Sequence, residues 1–167
     1  GRIAPNRVNR RFGTSLPHQK ITTDTTEFKY YEPDSKGRVS IKKLYLDPFM
    51  DMWNQEILSY SISDRPSAAS IMKALDEAIS VTEDCRFRRT FHSDRGWAYQ
   101  MSSYRYALKK NRIFQSLSRK GNCYDNSPME NFFGIMKQEM YYGQVYNSFG
   151  ELKEAIEKYI HYYNENR

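Results

Sequence analysis

The chain has 167 residues, 39% of them hydrophobic, which is enough for one sizeable core and short for two. Its formal charge of +6 favours a polyanionic partner without demanding one, and its two cysteines, Cys85 and Cys123, form neither a disulfide framework nor a zinc spacing. No apolar run is long enough to span a bilayer and no signal-peptide pattern is present, so the expectation is a soluble, cytoplasmic, single-domain protein with no membrane partner.

Residues 1–20 carry Arg2, Arg7, Arg10, Arg11 and Lys20, no acid, and the breakers Pro5 and Pro17. They read as a basic arm or linker, either lying along phosphates or solvated as a tail. The chain starts at Gly1 rather than Met, which suggests that something precedes it.

Strands follow. Lys20 to Tyr31 is rich in Thr, Phe and Tyr, and the turn chemistry of Pro33-Asp34-Ser35-Lys36-Gly37 pairs it as a hairpin with Arg38 to Trp53. A third strand is expected from Glu56 to Ile62. Asp24 shares a face with Thr22 and Thr26, an odd place for a carboxylate unless that strand opens on a site. Asp47 and Asp51 share a face of the second strand and read as bystanders, Asp51 in a turn near Asn54.

Ser67 to Val81 has the apolar spacing of a helix, with Ile71, Ala74, Leu75, Ala78 and Ile79 on one side. A strand from about Arg86 to Ser93 runs into His92-Ser93-Asp94-Arg95-Gly96, leaving Asp94 at the rim of a sheet, where open α/β sheets place ligands. A helix at about Ser103 to Asn111, a short strand at Ile113 to Leu117 and a small basic loop, Ser118 to Asn122, come next.

Pro128 suits a first helical position with Ser127 as N-cap, and Met129, Phe132, Phe133, Met136 and Met140 recur as a buried stripe. Glu130 and Lys137, two helical turns apart, project from a similar direction. Ser127-Pro128-Met129-Glu130 is also a capping box, so Glu130 is open to either role at this point. The last helix, about Phe149 to Asn164, presents Phe149, Leu152, Ile156, Tyr159, Ile160 and Tyr163 as its apolar side. The tyrosines crowding this end read more readily as half-buried cover for the sheet or a partner subunit than as base-stacking platforms.

The pattern is α/β with a mixed sheet. Asp24, Asp94 and Glu130 can meet at one edge of it, where three carboxylates repel one another unless hard cations, Mg²⁺ or Mn²⁺, neutralise them. Spacing alone is weak evidence, since 20 acids in 167 residues put one at any chosen offset about one time in eight. His92 reads as a packing histidine, Asp125 and Asn126 as shapers of a turn, Trp97 as a DNA contact or a cap on the core, and Arg119 and Lys120 as phosphate contacts or a solvated loop.

Context carries more. TDTTEF around Asp24, HSDRGWAY around Asp94, and SRKGNCYDNSPMENFFGIMKQE around Glu130 and Lys137 resemble the three signature blocks of insertion-sequence transposases of the retroviral-integrase type. The 35 residues between Asp94 and Glu130 match that family's Asp-Asp-35-Glu pattern, and SYSISDRPSA and HYYNENR add to the likeness, which runs from about Asn9 to Arg167.

The resemblance implies a ribonuclease-H-like core over residues 21–167, a five-stranded mixed sheet flanked by helices. It implies Asp24, Asp94 and Glu130 as catalytic ligands of two Mg²⁺ or Mn²⁺ ions and Lys137 as a DNA contact near the reacting end, with Arg119 and Lys120 as further candidates. The implied chemistry is nicking of transposon ends and attack of the freed 3′-hydroxyl on target DNA. No covalent protein intermediate and no small-molecule cofactor take part. A homo-oligomer in the bacterial cytoplasm, at the nucleoid when bound to DNA, is expected, as is an upstream helix-turn-helix region. Departures are Ile21 for the usual Trp, Ala98 for a common Gln, and a long Glu32 to Lys42 hairpin. The rival readings are another ribonuclease-H-like nuclease, the integrase of a different element, and a catalytically silent DNA-binding or assembly module.

Overall fold

The computed structural model describes residues 3–6, 16–119 and 127–167. Most of the basic arm, the turn with Asp125 and Asn126, and Lys120 lie outside the described residues. One mixed sheet is formed by β1 (Lys20–Thr23), β2 (Thr26–Pro33), β3 (Val39–Asp51), β4 (Ile57–Ser63), β5 (Thr90–Ser93) and β6 (Phe114–Leu117). Among the described residues four helices cover it: α1 (Ala68–Val81), α2 (Ser102–Lys110), α3 (Ser127–Met140) and α4 (Phe149–Asn166), with a short 3-10 helix at Trp97–Gln100 that no sequence pattern announced.

The expected first strand is present but broken. β1 and β2 both pair antiparallel with β3 in one continuous register, Thr23 opposite Phe49 and Thr26 opposite Leu46. Asp24 and Thr25 fall in the gap, opposite Pro48 and Asp47. Pro48 has no N–H to give, so the ladder lapses there. Counting β1 and β2 as one line, the sheet has the five expected positions: β4 on β3, β3 on β1/β2, then β5 and β6 added parallel.

β5 is shorter than expected, beginning at Thr90 rather than near Arg86. Its neighbours explain this: pairing with β1 starts at Lys20–Thr90 and with β6 at Thr90–Phe114. The preceding arginines are held by their side chains instead, Arg89 donating to Ile79 O at 2.7 Å and Arg88 Nε to Arg112 O at 2.9 Å. The long hairpin closes on Asp34, whose carboxylate accepts from Lys36 N at 2.8 Å and Arg38 N at 2.9 Å, with Gly37 supplying the left-handed φ of 78° the turn needs.

Each sheet face carries its own core. On one, Ile21, Phe49 and Phe91 meet α1 through Ile71, Leu75 and Ala78 and α2 through Tyr104 and Leu108. On the other, Phe28, Leu44, Leu46 and Met50 meet α3 through Met129, Phe132 and Met136 and α4 through Leu152, Ile156 and Ile160. The three-and-four spacing of these residues fixes which helical face turns inward, and burial of each large side chain contributes about 1.5–3 kcal/mol. Ser67 caps α1, accepting from Ser70 N, and Ser148 caps α4, accepting from Glu151 N. Among the described residues no helix is long and apolar enough to cross a membrane.

Candidate active site

The parallel pairing of β1 with β5 decides where the acids stand. Thr22 lies beside His92, so two residues further on Asp24 comes level with Asp94, on chains spaced about 4.8 Å apart. Both strands end here. Asp24 sits in the lapse created by Pro48, and its Oδ1 accepts the Thr25 N–H at 2.8 Å. Asp94 opens the turn after β5, and its Oδ1 accepts the Gly96 N–H at 2.7 Å. Ser118 N donates to Ser93 O at 2.9 Å and Arg95 Nε to Ser118 O at 2.9 Å, fastening the end of β6 beside that turn.

The carboxylates feel one another. Asp24 is pushed up to about 7, first by burial, then by the charge of Asp94 and a shared hydrogen bond with it, with Glu130 adding to the repulsion and the Thr25 N–H opposing. Glu130 is exposed in the first turn of α3, where the helix dipole favours an anion. Asp24 and Asp94 are thus brought together and Glu130 is within electrostatic reach. Among the described residues no three His, Cys, Asp or Glu side chains close around a single point.

A cavity of about 240 Å³ opens on this edge, lined by Asp24, Asp94, Thr25, Asp47 and Trp97. Asp47 is the residue that sequence reasoning passed over. It is 2% exposed, and Thr25 Oγ1 donates to its carboxylate across the strands. Burial raises it to about 6, the Thr25 hydroxyl acting against the rise. The signal lay in the register: an acid opposite the residue after Asp24 faces the same cavity. Asp51 is the last residue of β3 rather than part of the turn beyond it, and its carboxylate accepts Trp53 N at 2.9 Å from that turn and His18 N at 3.0 Å.

The other candidates separate clearly. His92 is fully buried with Nδ1 2.8 Å from Ser116 Oγ, a packing histidine. Trp97 is 55% exposed at the cavity mouth, so it is no cap on the core. Lys137 Nζ donates to Glu27 O at 3.0 Å and stands 5.0 Å from the centre of the Phe28 ring, and burial lowers its pKa. An ammonium has three donors, so this bond leaves two. Arg119 is exposed just past β6, at the sheet end that holds Asp94. Tyr141 and Tyr163 are pinned to backbone, Tyr141 Oη donating to Lys29 O at 3.1 Å and Tyr163 Oη to Gln55 O at 2.8 Å, as cover for the sheet.

A five-position mixed sheet between two pairs of helices, with carboxylates at the ends of its two central strands, defines the ribonuclease-H-like core of integrases and transposases. The family profile described as integrase core domain matches residues 14–123, and a second profile of that description matches residues 130–167. The chain is 43% identical over its whole length to an uncharacterized transposase-like protein of Haemophilus influenzae, covering 72% of that protein. It is 41% identical, again over all its length, to the putative transposase InsK for insertion sequence element IS150 of Escherichia coli, covering 56% of it. In fold it resembles the HTLV-2 integrase catalytic core domain in complex with magnesium, with a TM-score of 0.65 and 19% identity over 92% of this chain and 89% of that one. It also resembles the Mos1 strand transfer complex, with a TM-score of 0.64 and 15% identity over 100% of this chain and 58% of that one. The chain belongs to the integrase core domain family, in its insertion-sequence transposase branch. It spans just over half the length of the IS150 relative.

Proposed function

We propose that the chain is the metal-dependent catalytic core of a DNA transposase, which nicks the element's ends and joins the freed 3′-hydroxyl to target DNA. The observation that carries this reading is the placement of Asp24 beside Asp94 with Glu130's charge reaching them, a repulsion that divalent cations relieve. The donor set fits: carboxylate oxygens suit Mg²⁺ or Mn²⁺, and Mg²⁺ is commonly held by one or two carboxylates with substrate phosphate oxygens completing the shell. Two such ions would supply Lewis-acid stabilisation of the attacking and leaving oxygens.

The chain's own residues then have defined work. Asp24 and Asp94 would hold the ions at the strand ends, with Glu130 on α3 as the third carboxylate of the set. The Thr25 and Gly96 N–H groups orient the two aspartates from behind. Lys137, Arg119 and Lys120 meet the DNA backbone, Lys137 through the donors that Glu27 leaves free. Trp97 at the cavity mouth contacts the strand entering it. Two DNA ends and a target engage a homo-oligomer, and the magnesium-bound integrase core and the Mos1 strand transfer complex support that reading by their fold.

The test is Mn²⁺ binding followed by electron paramagnetic resonance, together with joining of a labelled recessed 3′-hydroxyl duplex to plasmid. The wild-type chain binds Mn²⁺ and joins strands, whereas Asp94→Asn and Glu130→Gln bind DNA undiminished and lose joining by a thousandfold or more, roughly the loss expected for a residue acting only in the transition state. Undiminished joining by Asp94→Asn rejects the reading. Joining by none of the three proteins, with DNA still bound, assigns the chain to the silent-module class.

A further inference from the structure

A second charged region lies away from the carboxylates. Of the 26 Lys and Arg and 20 Asp and Glu in the chain, nine cations and one acid, Asp94, fall between Arg86 and Arg119. That segment therefore carries +8 while the rest of the chain is net negative. The fold gathers six of these cations at one place, while Arg95 and Arg119 stand at the Asp94 end. Arg86, Arg88 and Arg89 precede β5, Arg112 precedes β6, and Lys109 and Lys110 end α2, so all of them stand at the sheet end opposite Asp94. Arg88 and Asp94 are separated by a near-extended run, roughly 20 Å at most.

Two adjoining grooves mark the surface. One, of about 730 Å³, is lined by Arg88, Arg105 and Lys109 among its residues. The other, of about 420 Å³, is lined by Arg86, Arg88, Arg89 and Arg112. Neither lining contains a carboxylate. The carboxylate cavity is the reverse, with three aspartates and no cation.

Arg89 lies in the field of Glu83 and Asp84, but Arg86, Arg88, Arg105, Lys109, Lys110 and Arg112 enter none of the ion pairs among the described residues, which lie elsewhere, as in Arg38 with Asp34, Lys43 with Glu27 and Lys158 with Glu154. A surface that crowds like charge without partners pays for it in self-repulsion, which a polyanion would relieve by counterion release. Arg88 is pre-set as well, its guanidinium lying 3.6 Å above the Phe114 ring.

We propose that this face, built by Arg86, Arg88, Arg105, Lys109, Lys110 and Arg112, binds the phosphate backbone of a DNA duplex at a place distinct from the strand held at the carboxylates. It rests on the reading of the chain as a DNA-processing core and adds a second footing. Recognition is by phosphate charge, since the two side-chain amides in the linings, Asn111 and Gln115, are turned to backbone, donating to Ala107 O at 2.8 Å and Tyr99 O at 2.7 Å.

The test uses the full chain, in EDTA so that no cleavage occurs, and a fluorescein-labelled duplex longer than two helical turns. Anisotropy titrations over a range of NaCl compare wild type with Arg86→Gln/Arg105→Gln/Lys109→Gln and with a charge-matched control, Lys36→Gln/Lys73→Gln/Lys153→Gln. The first variant is expected to bind about tenfold more weakly or worse near physiological salt, and its log-log salt slope to fall by about 2–3, close to 0.9 for each phosphate contact removed. The control is expected to keep most of both. Equal losses in the two variants, or none in either, overturn the proposal, as does a poly-glutamate peptide that binds this face with the duplex left unbound. The Mn²⁺ measurement stands apart. Absent Mn²⁺ binding with the salt slopes as expected rejects the catalytic reading alone, and intact Mn²⁺ binding with equal slopes rejects this face alone.

Discussion

Gly96 and Asp94 are fitted to each other: the Asp94 carboxylate accepts the Gly96 N–H at 2.7 Å and occupies the space a side chain at residue 96 would need, with Oδ1 only 2.9 Å from where a Cβ would sit. The backbone φ at Gly96 is −57°, ordinary for any residue, so the requirement is spatial. Gly96→Ala is therefore expected to fold normally while turning the Asp94 carboxylate away. Mn²⁺ affinity should drop by about 10- to 100-fold, the usual cost of disturbing a group that orients a ligand. Unchanged Mn²⁺ affinity in this variant would mean that Asp94 is no ligand or that the turn yields freely.

The repulsion at the carboxylates makes the metal-free fold sensitive to pH. Asp24 is raised to about 7, burial first and Asp94 second, so its contribution favours the fold fully below about pH 4 and is lost as pH rises through about 7. In EDTA the melting temperature should therefore fall between pH 5 and pH 8, a loss on the order of 2–4 kcal/mol. Divalent cation should restore it at the upper end by binding only the folded state. Asp24→Asn is expected to flatten the pH dependence and abolish the cation's effect. A melting temperature in EDTA that rises over the same interval contradicts the proposed pairing.

Much of this arrangement was legible in the sequence because the signals are local. The stripes on α1 and α4 repeat every three or four residues, and Asp94 is followed at once by the Arg-Gly that ends a strand. What was hidden is non-local. The lapse at Asp24 and Thr25 depends on Pro48, more than twenty residues away and across the sheet. The late start of β5 depends on where β1 and β6 begin. Asp47 looked like a bystander because alternation along β3 places it on a face without saying that the cavity lies over that face, which only the pairing with Thr25 reveals.

Asp47 and Thr25 give a sharper test of that pairing. Asp47 is raised to about 6 by burial, with the Thr25 hydroxyl as the opposing influence, so it favours the fold below about pH 4 and less so as pH climbs through 6. Thr25→Val removes the donor from a buried carboxylate and should cost about 1–3 kcal/mol at pH 7.5 in urea unfolding. Asp47→Asn removes the charge and keeps an acceptor for Thr25, so at the same pH it should be neutral or stabilising. A loss of similar size in both variants would mean that the ionised carboxylate is itself favourable here, through a cation bound even without added metal.

α3 carries Glu130 and Lys137, and two substitutions on it separate packing from exposure. Phe132 is 2% exposed and meets Tyr163 edge-on with ring centres 4.7 Å apart, so Phe132→Ala should cost about 3–5 kcal/mol by urea unfolding. Gly134, two residues on, faces outward in the interior of the same helix, and a Cβ there would meet nothing within 4 Å. Gly134→Ala should therefore stabilise the isolated chain by about 0.5–1 kcal/mol, because alanine gives up less backbone entropy in a helix. The same substitution also reads the helix's surroundings in the working assembly. If Gly134→Ala raises stability yet weakens strand joining, another surface, DNA or a second copy, comes within a methyl group's reach of α3; if joining is unchanged, that face of the helix stays open to water throughout the reaction.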